Sequence, residues 1–175
     1  MLPETAPAME FDLRKDSSPR PALRPPGHKQ KEKTMIFHIN LFNDKPGLSE
    51  EQREAGLDLM RQDAANPAVK SWIVGRVLGG EFEYSAVYVV EDLDGYWAYL
   101  THPAHGRQEL EGIPLIEKFA AIDVSDSDDP KLGEKIAALQ ARHLQESPEL
   151  AAREAQAPSF TVPGQPSAAR RQAEA

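Results

Sequence analysis

Between residues 34 and 124 the apolar positions change their spacing several times, and each change marks an element. The run "TMIFHINLFN" over 34–43 is apolar, alternates in part and stops at the turn signal "NDKPG", which predicts a buried strand. In "LSEEQREAGLDLMRQDAAN" the period lengthens, and Leu57, Met60 and Ala64 fall on one face of an amphipathic helix. Ser49 with Gln52 three residues on forms a capping box at its start, and Asn66 with Pro67 ends it. "VKSWIVGRVL" and "EFEYSAVYVV" are rich in β-branched and aromatic residues and are separated by a glycine pair, so they read as a hairpin or a short strand connection. In the second, Tyr84, Ala86, Tyr88 and Val90 share one face while Val87 and Val89 point the other way. "DLDGYWAYL" over 92–100 predicts a helix opened by Asp92 or Asp94, and "HPAHGRQELEGIPLIEKF" a second helical piece broken around Gly112 and Pro114. "AAIDV" over 120–124 is a short last strand.

Strand, helix, strand, strand, helix, strand is the split βαβ order, so the expected fold is α+β and ferredoxin-like, βαββαβ, with a four-stranded antiparallel sheet and its helices on one face. No helix remains for the other face. Its apolar residues must then meet another sheet, most simply that of a second copy. The expected domain spans 34–125, and after the acidic, turn-prone "SDSDDP" a linker and amphipathic C-terminal helix span 126–154. There Leu132, Ile136, Leu139 and His143 or Leu144 make one stripe that lies back on the domain or across a dimer.

The ends differ in composition. Residues 1–33 scatter prolines among charges with almost no apolar run, and 155–175 drift through alanine into Pro, Gly and Ser, so both are expected to be disordered. The first stretch lacks the apolar core of a signal peptide, and no stretch approaches the roughly 18 apolar residues of a membrane span, which points to a soluble, cytoplasmic protein without a membrane partner. A net charge of -8 argues against a nucleic-acid partner, although Arg20, Arg24, Lys29, Lys31 and Lys33 give the arm some positive charge. With no cysteine, disulfides, thiolate nucleophiles and cysteine metal sites are excluded.

Candidate chemistry concentrates in "YLTHPAHGRQ", which holds two of the five histidines. Pro103 forces His102 out of helical geometry and is itself suited to the first position of a helix, so His102 reads as architectural. His105 then lies in the first turn, where unpaired amides and the helix dipole disfavour a positive charge; a neutral imidazole, available as a base near pH 7, is expected. The alternatives are that His105 caps the backbone, that Tyr99 is a core aromatic and that His38 is a satisfied core histidine. Metal binding by His38, His102 and His105 is not expected, because "HPAH" keeps its two histidines off one helix face. Phosphate-cradling glycine loops and serine-triad motifs are absent from the sequence.

"MIFHINLFNDKPGLSEEQ" followed by "YLTHPAHGRQ" resembles the stress-responsive α/β-barrel (Dabb) domain family, over residues 35 to about 124. The resemblance implies a homodimer in which two four-stranded sheets pack into a barrel. Against the olivetolic acid cyclase-type polyketide cyclases of that family it implies three catalytic residues: His105 as the general base, Tyr99 holding a substrate carbonyl, and His38 lining the pocket and assisting by hydrogen bonding. Met60 stands where those cyclases supply a second tyrosine, so substrate polarity should differ and olivetolic acid is not the expected product; Trp97, Tyr88 and Phe42 are expected beside it in the substrate-binding wall. The implied function is proton abstraction and aldol-type ring closure, or a related lyase or isomerase step, on a small apolar carbonyl compound, with no cofactor and no metal. A non-catalytic stress-responsive or ligand-binding dimer and a cofactor-free oxygenase using Trp72 or Trp97 stand as alternatives. If His105 is a pocket base, His105→Ala is expected to abolish turnover and leave the fold intact.

Overall fold

The computed structural model describes residues 34–156 and the backbone of 159–161; the expected arm over 1–33 and the rest of the expected tail lie outside the described residues. Strand β1 (Ile36–Asp44) leads through helix α1 (Glu50–Asp63) to strands β2 (Ser71–Arg76) and β3 (Tyr84–Val90). Helices α2 (Leu93–Leu100) and α3 (Pro103–Gly112) and a single 3-10 turn then precede β4 (Ile116–Ser125). The sheet order is β2-β3-β1-β4, antiparallel throughout, which is the expected ferredoxin-like arrangement.

The capping box forms as predicted, with Ser49 Oγ accepting from the Gln52 amide and the Gln52 side chain accepting from the Ser49 amide. Leu57, Met60 and Ala64 are buried on the inner face of α1, and Asp63 is buried with them. The last strand begins at Ile116, four residues earlier than expected. Pro114 cannot donate to continue α3, and the Lys45 amide donates to Leu115 O at 2.8 Å, which draws the chain alongside β1.

Paired residues across the strands share a side of the sheet. Ile36, His38, Asn40 and Phe42 of β1 all turn to the helix-covered face and are buried. On the other face Phe37, Ile73, Ile122 and Val124 are 40, 65, 47 and 53 % exposed, an apolar surface no helix of this chain covers among the described residues.

Beyond the domain, α4 (Leu132–Glu146) and α5 (Pro148–Gln156) replace the one expected helix, because Pro148 cannot extend α4 and Ser147, just before it, leaves the helical conformation. The stripe of α4 lies back on α2, with His143 rather than Leu144 taking the inward place. Inside the span expected as a disordered tail, α5 reaches Gln156 and β5 (Ser159–Thr161) adds to the free edge of β4 in parallel, where unpaired backbone groups accept another strand. No helix among the described residues is long and apolar enough to cross a membrane.

Candidate active site

Two histidine–carboxylate pairs face one cavity. His38, carried inward by β1, places Nδ1 2.8 Å from Asp123 Oδ1 on the neighbouring strand β4. A carboxylate only accepts, so Nδ1 carries the proton, and in the neutral ring Nε2 is then an acceptor. Tyr96 of α2 brings its hydroxyl to 3.1 Å from His38 Nδ1 and 3.4 Å from Asp123 Oδ2, and receives a 2.6 Å hydrogen bond from Gln140 Nε2 of α4. Burial raises the Tyr96 pKa well above 10, with the Asp123 charge adding to it, so the hydroxyl keeps its proton.

The second pair stands on helices. His102 caps α3 through Nδ1, which accepts from the Ala104 amide at 3.2 Å, and Pro103 opens the helix, confirming an architectural place for His102. One turn on, His105 Nδ1 lies 2.8 Å from Asp63 Oδ2, and its Nε2 lies 3.2 Å from Glu109 Oε1. Glu109 turns its other oxygen to His143 Nε2 at 2.9 Å. Burial of His105 disfavours its charge, but the Glu109 and Asp63 carboxylates outweigh this and raise its pKa to about 10. Burial likewise works against the Glu109 charge, and the His105 cation with hydrogen bonds from both histidines pulls its pKa down to about 2. The expectation of a neutral His105 is therefore corrected: two buried carboxylates dominate the helix-terminus effect.

The shared cavity measures about 40 Å³, room for roughly two or three waters. His38, His105 and Glu109 line it, and Gln140 of α4 and Glu154 of α5 form its outer wall. Tyr99 does not line it. Its ring packs behind both histidines, with centroids 4.4 Å from His105 and 5.6 Å from His38, and its hydroxyl is fully buried without a hydrogen-bond partner among the described residues. Asp63 Oδ1 is likewise buried and unpartnered.

None of the expected wall residues lines the cavity. Met60 and Phe42 border a separate pocket of about 10 Å³ beside α1. Tyr88 is fully buried and donates to Met60 O at 2.8 Å, while Trp97 faces α4 with the Arg142 guanidinium 4.1 Å from its ring centre. Asp63, Asp123, Glu109, Tyr96 and His143 were not anticipated. The four-residue spacing of His105 and Glu109 is a readable helical signal for one of them.

The model of the stress responsive A/B barrel domain family, Dabb, matches residues 36–126. The chain belongs to this family. A dimeric ferredoxin-like protein of unknown function from Thermobifida fusca YX is similar at 26 % identity, covering 54 % of this chain and 92 % of that one with a TM-score of 0.49. A Dabb family protein from Mesorhizobium loti MAFF303099 is 23 % identical over 52 % of this chain and 95 % of its own, with a TM-score of 0.48. The hydroxynitrile lyase of Passiflora edulis is 18 % identical over 54 % and 94 %, with a TM-score of 0.49. No curated protein matches the chain. The Dabb match stops at residue 126, so Gln140, His143 and Glu154 lie outside the matched span.

Proposed function

We propose that this Dabb chain is one subunit of a homodimeric cytoplasmic enzyme that moves a proton on a small, largely apolar carbonyl compound. The observation that carries the reading is the pair of histidine–carboxylate dyads on one cavity, His38 with Asp123 and His105 with Asp63. With Nδ1 committed to Asp123, His38 Nε2 removes a proton from the carbon beside the carbonyl. The bonding pair moves into the carbon skeleton, and the carbonyl oxygen takes a hydrogen bond from His105 Nε2, the donor that Glu109 holds in the closed cavity. The enolate carbon then either attacks a second carbonyl of the same molecule, closing a ring, or is reprotonated elsewhere, giving an isomer; expulsion of a leaving group would make it a lyase. In each case the proton returns from His38.

A cavity of about 40 Å³ holds no substrate, so Glu109 must turn from His105 and the C-terminal helices must shift at the outer wall. The same closure favours the second reading, a non-catalytic structural dimer. Exchange of the acidic protons of small apolar 1,3-diketones into heavy water, followed by proton NMR, separates the two. The enzyme reading expects acceleration that falls on the order of a hundredfold or more in His38→Gln; equal rates in the two proteins favour the second reading. Dimerisation is proposed through the open sheet face, where Phe37, Ile73, Ile122 and Val124 are exposed. Sedimentation should give a dimer at micromolar concentration and a monomer for Ile122→Asp, whose buried charge weakens the dimer on the order of a thousandfold.

A further inference from the structure

We propose that His105, Glu109 and His143 form a binding site for a divalent transition-metal ion, zinc foremost, which α4 completes from outside the Dabb domain. One donor atom from each of the three residues lies within 4.8 Å of the others, and His105 and His143 are both buried. The Glu109 carboxylate is already 3.2 Å from His105 Nε2 and 2.9 Å from His143 Nε2, close to the separations that ligands at roughly 2.0 to 2.2 Å from one ion require. Turning the two imidazoles toward a common centre completes the arrangement.

A second observation points the same way. The far nitrogen of His105 is held by Asp63, a fully buried carboxylate that fixes the ring's tautomer and orientation and leaves Nε2 as the ligating atom. Carboxylates in that outer position are a regular feature of histidine metal sites. Two imidazoles with one carboxylate suit zinc, cobalt or iron better than magnesium or calcium, which prefer all-oxygen sites. Three protein ligands leave a position open, and the cavity that His105 and Glu109 line has room there for a water or a substrate oxygen.

Binding stands on this geometry alone. Its use rests on the function proposed above: binding displaces the proton of His105 Nε2, and the ion then polarises, in place of that N–H, the carbonyl whose neighbouring proton His38 removes. The test titrates zinc into the full chain after chelator treatment, with competition against a chromophoric chelator, and repeats it with cobalt to read the visible ligand-field band. One ion per chain is expected. His143→Ala and Glu109→Gln should each weaken binding at least tenfold, and Asp63→Asn about 10- to 100-fold, with circular dichroism confirming that the variants fold. His102→Asn, which alters the helix-capping histidine and keeps a capping side chain, should bind as the wild type does. Failure to bind zinc at micromolar concentration, or affinity unchanged in both His143→Ala and Glu109→Gln, would overturn the site. Zinc binding with proton exchange indifferent to His38 would instead sink the chemical reading and leave the site standing.

Discussion

His38 and His105 look into one cavity from surroundings of different charge. His38 meets one carboxylate, Asp123, and the phenol of Tyr96, whereas His105 meets a carboxylate at each ring nitrogen, Asp63 and Glu109. The first arrangement leaves an imidazole nitrogen able to accept a proton. The second keeps both nitrogens as donors. The scaffold differs too, since His38 and its aspartate sit opposite each other on adjacent strands, while the partners of His105 come from α1, α3 and, through Glu109, α4. On the proposed reading, a proton acceptor fixed on a sheet faces a donor assembled by helices, and each half can be broken separately.

The largest expected effect comes from removing the donor. His105→Ala leaves Asp63 and Glu109 buried without their shared cation, which should destabilise the protein by about 3 to 5 kcal/mol in urea unfolding. This prediction departs from the sequence-based expectation that His105→Ala spares the fold, and His105→Gln is the variant that tests chemistry. A smaller effect makes the two halves alike: Glu109→Gln removes the strongest charge that raises the His105 pKa, so that pKa should fall from about 10 toward the usual 6.5. The sign follows from the folded value lying above the unfolded one. In metal-free wild type the contribution of His105 to stability is complete below about pH 6.5 and is lost as pH rises to about 10; in Glu109→Gln the loss should finish at lower pH. Nitrogen chemical shifts of the ring through an alkaline titration check this directly. The smallest effect sharpens the other half: Tyr96→Phe removes the hydroxyl between His38, Asp123 and Gln140 and should cost about 1 kcal/mol by thermal unfolding.

The alternation of β1 and the capping box of α1 made the fold legible, because period and cap chemistry are local. His38 and His105 stood out for a related reason: a polar ring on an apolar strand, and a histidine just past an X-Pro helix start. Their partners did not. Asp63 lies beside the apolar stripe of α1 and Asp123 inside the last strand, and nothing in either segment shows that a charged residue turns inward until the strands and helices are assembled. His143 was visible as one of two candidates for a helix stripe, but its meeting with Glu109 depends on α4 folding back. Met60, Trp97, Tyr88 and Phe42 went elsewhere because apolar character fixes burial without fixing which cavity is lined.

The most direct test of the account is the double variant His38→Gln/His105→Gln in the proton-exchange assay, beside each single variant. Groups that accept and donate in the same transition state act as a unit, so the double variant should be little slower than the slower single one, with each single variant down on the order of a hundredfold or more. Single variants that exchange at the wild-type rate, or losses that simply multiply, would contradict the claim that the two histidines serve one reaction.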